Sequence, residues 1–236
     1  MKEVTIVCTL KSGGDYGEKY PMLLFQQIQK HVHVPYRFVC ITDKPLQWIG
    51  LSKFANLGTR IGLNYNLPAW WSKLEALRLT GPVVSLDLDI VVLGDISDMV
   101  STALDLSNDE VLFLRDFRGV PWNSTMIIRN GDFSGVLSIF LEQAKRGKYH
   151  RDKRGVHLRL NDEEFHGDQE WLVPALESVG VTISAIQDQF AGIYSYKDGV
   201  RDLPELPEDA RIICFHGRPR PHILNPVPDW MAAEGW

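Results

Sequence analysis

Two carboxylates stand in the middle of an apolar run. The stretch VVSLDLDIVV, residues 83–92, carries Asp87 and Asp89 between segments that read as buried. Carboxylates in such surroundings are costly unless something pairs with them. Residues i and i+2 of a strand point to one face, and a turn at Leu88 would also let the two converge. In either geometry two like charges lie close together, and a divalent cation is the simplest partner. His216 follows the apolar run RIICF and adds an imidazole. A set of two carboxylates and one imidazole suits Mn²⁺, with Mg²⁺ as the alternative. Arg218 and Arg220 in HGRPRPH can grip phosphate oxygens, and Lys73, on a helix before the carboxylates, can reach a phosphate as well.

Three chemistries fit this set. The pair can hold a metal against the diphosphate of a sugar nucleotide. Asp87 can be a nucleophile and Asp89 an acid/base, as in haloacid-dehalogenase-like phosphatases, although that motif belongs after the first strand of a domain. Or the pair can be a structural turn and cap. Bland readings also exist elsewhere: Asp168 as a helix cap, Asn123 as a turn residue after Pro121, Tyr16, Trp70 and Trp71 as core or rim aromatics.

The elements that must position these groups follow from periodicity. EVTIVCTL reads as a first strand buried on both faces, followed by the Gly-rich turn KSGGDYG. Tyr20, Leu23, Leu24 and Ile28 recur at helical spacing, and RFVCITD is a second buried strand ending at Asp43. Residues 44–67 read as irregular. Pro68 opens a helix with Trp70, Leu74 and Leu77 on one face, ended by Gly81-Pro82, and VVSL is the strand that delivers Asp87. EVLFLRD and STMIIRN read as strands. Asp132 caps a helix carrying Phe133, Val136, Leu137 and Phe140. Residues 148–166 have the composition of a mobile polar loop. Asp168 begins a helix with Trp171, Ala175, Leu176 and Val179 inward, VTISAI and RIICF are late strands, and the proline-rich tail from Gly217 straps across the body. Alternating strands and helices define an α/β fold with ligands at the carboxyl ends of strands.

Bulk properties narrow the function. The 236 residues suit one large domain or two halves on one core. A formal net charge of −5 argues against a nucleic-acid partner. No apolar run approaches a membrane span, and the amino-terminal run lacks the form of a signal peptide. Cys8, Cys40 and Cys214 lie in strand-like runs without a CxxC, which suggests buried free thiols in a reducing, cytoplasmic compartment.

Four segments, in order, resemble glycosyltransferases of the GT-A fold, nearest to family 8, the glycogenin and lipopolysaccharide galactosyltransferase type, and especially bacterial members of unassigned substrate. They are WSKLEALRLTGPVVSLDLDIVVLGDI, PWNSTMIIRNG, GDQEWL and CFHGRPRPH. The resemblance implies one Rossmann-like domain with a mixed, mostly parallel sheet flanked by helices. Its nucleotide-binding half would be about residues 1–95, its sugar and acceptor half about 96–216, and its tail 217–236. It implies metal ligands at Asp87, Asp89 and His216, and sugar-side residues at Asn123, Asp168 and Gln169. Donor contacts would come from Thr9, Leu10, Tyr16, Asp43, Lys73, Lys197, and Arg218 or Arg220. The implied reaction moves a hexose from a nucleoside diphosphate sugar, UDP-linked, to a hydroxyl acceptor such as a glycan, with retention. The acceptor could be met at the cytoplasmic face of a membrane. Here the glycine follows His216 at once, arginine replaces lysine, and His222 stands after Pro221 where the family has tryptophan. A sugar-nucleotide-binding protein without turnover is the further alternative.

Overall fold

The computed structural model describes residues 3–46, 58–118, 121–153 and 155–236. The chain runs β1 (Val4–Leu10), α1 (Lys19–His31), β2 (Tyr36–Thr42), β3 (Gly58–Gly62), a 3₁₀ helix (Ala69–Arg78), β4 (Val83–Leu86) and β5 (Ile90–Val92). It continues through α2 (Ser97–Thr102), β6 (Glu110–Arg115), β7 (Trp122–Arg129), α3 (Ser134–Ala144), β8 (Lys148–Arg151), β9 (Val156–Leu160) and β10 (Glu163–Phe165). The last elements are α4 (Asp168–Ser178), β11 (Thr182–Ala185), β12 (Ile193–Ser195), β13 (Ile212–Cys214) and α5 (Asp229–Ala232).

The central sheet has the order β11-β6-β7-β4-β1-β2-β3. It is parallel except for β7, which runs antiparallel to both β4 and β6. This is the mixed, mostly parallel α/β sheet expected from the sequence. Alternation splits its side chains between two cores. Leu112 and Leu114 of β6 join Ile6, Cys8, Val84 and Leu86 under α1 and α2, while Val111 and Phe113 pack with the 3₁₀ helix, α3 and α4. A small sheet, β12-β13-β5, closes the first side. The three cysteines are free and buried. No helix among the described residues is long and apolar enough to cross a membrane.

Four sequence expectations need correction. Residues 44–67 contain β3, a parallel edge strand on β2, although residues 47–57 lie outside the described part. The helix before the carboxylates is 3₁₀. Three residues per turn put Trp71, Leu74 and Leu77 in the buried stripe, and Trp70 moves to the neighbouring face with Lys73. Residues 148–166 form a three-stranded antiparallel sheet, β10-β9-β8, rather than a loop. Its polar composition hid Val156, Leu158 and Phe165, which alternate into the second core. The buried face of α4 is Trp171, Leu172, Val173 and Leu176, and Val179 lies past the helix end, 50% exposed. The tail does strap the body: Glu234 accepts from Lys30 at 2.6 Å and lies 3.3 Å from His31 on α1.

One buried cation ties the 3₁₀ helix to the sheet. Arg129 of β7 is only 2% exposed and stacks over Phe133, with 5.1 Å from guanidinium carbon to ring centroid. Its Nη2 donates to the Ala76 and Leu79 carbonyls, at 2.7 and 2.9 Å, at the end of the helix. Burial pushes its pKa down to about 10, against the opposing effect of Asp132. Arg129→Met keeps the apolar stem but leaves those carbonyls unpaired. A loss of about 2–3 kcal/mol is expected, read as a lower urea midpoint at unchanged m-value.

Candidate functional site

The parallel strands β1, β4 and β6 all end at one edge of the sheet, and their ends open into a cleft of about 450 Å³. Because β7 runs the other way, it presents its beginning there, which is why Asn123, Ser124 and Thr125 line the cleft. A second cavity, about 530 Å³, lies between α3, β10 and α4 and contains none of the sequence candidates.

Asp87 and Asp89 converge through a turn at Leu88. Asp87 N donates to Thr125 O at 2.8 Å and so prolongs the β4–β7 ladder. Two residues later, the Asp89 carbonyl accepts from Phe215 N at 2.8 Å, at the end of β13. The chain thus crosses from the central sheet to the small one between the two carboxylates. Leu88 is buried between them. The same bond sets His216, the next residue, beside the pair.

Each carboxylate has its own cation. Lys73 Nζ donates to Asp87 Oδ2 at 3.0 Å and to Ser124 Oγ at 2.9 Å, and lies 3.4 Å from Asp168 Oδ1. Burial alone would lower the Lys73 pKa, but Asp168 and Asp87 outweigh it and hold the amine protonated. Arg220 Nη1 bonds directly to Asp89 Oδ2, which also accepts from the Tyr16 hydroxyl at 3.1 Å. The Arg220 guanidinium lies over the Tyr16 ring, 5.4 Å from its centroid, and Tyr16 meets Tyr20 and His222 edge-on. Even so, burial raises the proton affinity of both carboxylates.

His216 is held neutral. Burial, then the nearby Lys197 and Arg118, push its pKa down to about 4. Its Nε2 lies 2.6 Å from Ser195 Oγ and 3.1 Å from Asp198 Oδ2, and its ring stacks on Phe117. A proton on Nε2 shared with Asp198 leaves the lone pair on Nδ1, which is buried with no hydrogen-bond partner. That is the arrangement of a metal-ligating histidine with its carboxylate support. The donor types therefore fit a divalent cation. Among the described residues, however, no three His, Cys, Asp or Glu side chains stand together closely enough to hold one. Arg220 would have to release Asp89 for the set to close.

The other candidates divide clearly. Thr9, Leu10, Asn123, Asp168 and Gln169 line the cleft with Tyr16, Lys73, His216 and Arg220. Asn123 donates to Asp116 at 3.1 Å and accepts from Thr125 N and Oγ1. Gly167 leaves room for the Gln169 amide, whose nitrogen would lie 2.8 Å from a Cβ there. Arg218 is exposed and outside the lining, so Arg220 is the arginine the fold brings in. Lys197 is half-buried beside Gly217 and outside the lining, with its pKa lowered by burial and by Arg118. Asp43 is also outside the lining. Its carboxylate takes Lys11 Nζ at 2.7 Å and Ser12 N at 2.9 Å and shapes the loop after β1. Those bonds outweigh burial and hold it down to about 2.

Asp116, Ser124, Ser195 and Asp198 were missed in the sequence. Asp116 ends a strand as Asp43 does, and that position was a usable signal. Ser124 could be found only by knowing that β7 reverses direction.

Fold and cleft together define the GT-A class of fold. Among solved structures, the chain is similar to the glycosyltransferase GlyE of Streptococcus pneumoniae TIGR4, with a TM-score of 0.64 and 15% identity over 99% of this chain and 60% of that one. It spans 60% of the GlyE chain's length. It is also similar to the galactosyltransferase LgtC, solved with donor and acceptor sugar analogs, at TM-score 0.61 and 12% identity over 98% and 95% of the chains. Mouse xyloside xylosyltransferase 1 follows at TM-score 0.52 and 8% identity, over 92% and 98%. No protein-family model and no curated protein matches by sequence.

The neutral histidine sets a pH dependence. The unfolded chain protonates this imidazole near 6.5 and the folded chain only near 4. Its contribution to stability is therefore complete above 6.5 and falls as pH drops toward 4. His216→Gln is expected to flatten this limb of the urea-midpoint profile. An unchanged slope in the variant would refute the assignment.

Proposed function

We propose that the chain is a metal-dependent glycosyltransferase related to family 8, which moves a hexose from a nucleoside diphosphate sugar, UDP-linked, to a hydroxyl acceptor. The observation that carries this reading is the carboxylate pair at the end of β4, closed in by a neutral histidine and two cations in a cleft of the GT-A fold. The phosphatase reading is not favoured, because Asp87 leaves a strand flanked by antiparallel β7 and not the first strand of the domain.

Departure of a diphosphate while positive charge builds at the anomeric carbon is the barrier. Asp87, Asp89 and His216 would hold Mn²⁺ or Mg²⁺, which supplies Lewis-acid stabilisation of the leaving group. Arg220 then turns from Asp89 to the diphosphate, and Lys73 stays with Asp87 and Asp168 as preorganised charge. Gln169 and Asn123 orient the sugar. Gln169 is a poor nucleophile, so the acceptor oxygen attacks from the face that the diphosphate leaves. The C1–O bond to phosphate breaks, the C1–O bond to the acceptor forms, and the acceptor proton passes to the leaving phosphate oxygen. The configuration is retained.

The test is a thermal-shift panel of UDP-, GDP-, ADP- and CMP-sugars with Mn²⁺ or EDTA. A UDP-hexose with Mn²⁺ is expected to raise the melting temperature by about 5–10 °C at one hundred times its Kd. EDTA or Asp89→Asn removes the shift, and Gln169→Ala keeps it while lowering turnover by about 10²-fold. Absence of a shift with every sugar nucleotide would overturn the reading, and a shift indifferent to EDTA would overturn the metal.

A further inference from the structure

One side of the cleft adjoins a segment whose charge runs against that of the chain. Residues 145–159 carry seven Lys and Arg against one Asp, in a protein of net charge −5. They include the β8–β9 hairpin. A tight turn closes it, with Asp152 N donating to Gly155 O at 2.9 Å. Gly155, at φ +142°, lies so close to Trp70 that a Cβ would stand 1.7 Å from the ring. The hairpin is thereby docked on the 3₁₀ helix, and Arg151 is brought to the cleft lining beside Trp70 and His166.

What this side offers is donors. Arg151 is exposed and makes no side-chain hydrogen bond or ion pair among the described residues. Trp70 Nε1 is buried without a partner. Two acidic groups of the β10-β9-β8 sheet are already engaged: Asp152 with His157 at 2.7 Å, and Glu164 with His150 at 2.7 Å and Arg159 at 3.6 Å. An unpaired guanidinium on the cleft lining calls for a ligand rich in acceptor oxygens. A flat membrane contact would need exposed apolar side chains, but Val156 and Leu158 of the hairpin are buried.

We propose that the acceptor is anionic, a glycan carrying a uronate, sulfate or phosphate ester, and that Arg151 on the cleft lining recognises that group. This deepens the sugar-transfer reading and rests on it.

The experiment is an array of neutral, uronate, sulfated and phosphorylated glycans, probed in the presence of UDP and Mn²⁺ with the wild type, Arg151→Gln and Arg151→Lys. Binding is expected only on anionic glycans, at least tenfold weaker for Arg151→Gln and partly kept by Arg151→Lys, with circular dichroism unchanged. Equal binding of neutral glycans, no glycan bound, or full binding by Arg151→Gln overturns the proposal. Binding to phosphatidylglycerol vesicles that survives Arg151→Gln, with an empty array, would assign the basic hairpin to a membrane surface and overturn it too. The sugar-nucleotide thermal shift separates the two readings. A shift with a negative array removes the anionic acceptor alone. A positive array without any shift leaves an anionic-glycan site in a protein that is no transferase.

Discussion

A buried carboxylate, Asp89, and a half-buried one, Asp87, each matched by a cation from a distant part of the chain, are the constraint on which this structure turns. Leaving Asp89 buried without a partner would cost several kcal/mol, and half-buried Asp87 less. Lys73 reaches Asp87 from the 3₁₀ helix, and Arg220 reaches Asp89 from the segment after β13. The helix is in turn held by Arg129, and the segment by the bond from Phe215 N to the Asp89 carbonyl. Removing either support would loosen a charge pair before it loosened a hydrophobic core.

The same pairing explains why the site is poised rather than closed. Asp87 belongs to the central sheet and Asp89 to the small one, with Leu88 buried at the crossing. Burial leaves both carboxylates with raised proton affinity even beside their cations. A divalent cation arriving with a diphosphate would relieve that, since the diphosphate offers Arg220 a new partner as the metal takes Asp89. Metal and nucleotide would then favour each other's binding by the same factor.

Much of this could be read from the sequence, and the gaps have physical causes. An apolar run broken by two aspartates marks a strand end whatever the fold, so Asp87 and Asp89 were legible. His216 and Arg220 were legible because the late run RIICF had to be buried and the chain after it had to emerge. Asp43 ends its strand as the sequence suggests, and there it braces the loop after β1 through Lys11. The 3₁₀ helix escaped because a 3.6 period picks Trp70 where a period of 3.0 picks Trp71. The small sheet at 148–165 escaped because its buried residues are few among many charges. Arg151 was lost with it. The reversed direction of β7 leaves no local trace, since direction is decided by partners far away in the chain.

The proposed exchange of partners at Asp89 is tested most directly by electron paramagnetic resonance titration of Mn²⁺ with and without UDP. If Arg220 guards Asp89, Mn²⁺ alone binds weakly, and UDP tightens it at least tenfold, about 1.4 kcal/mol of coupling. Mn²⁺ that binds equally well without UDP, or fails to bind in either case, would contradict the account.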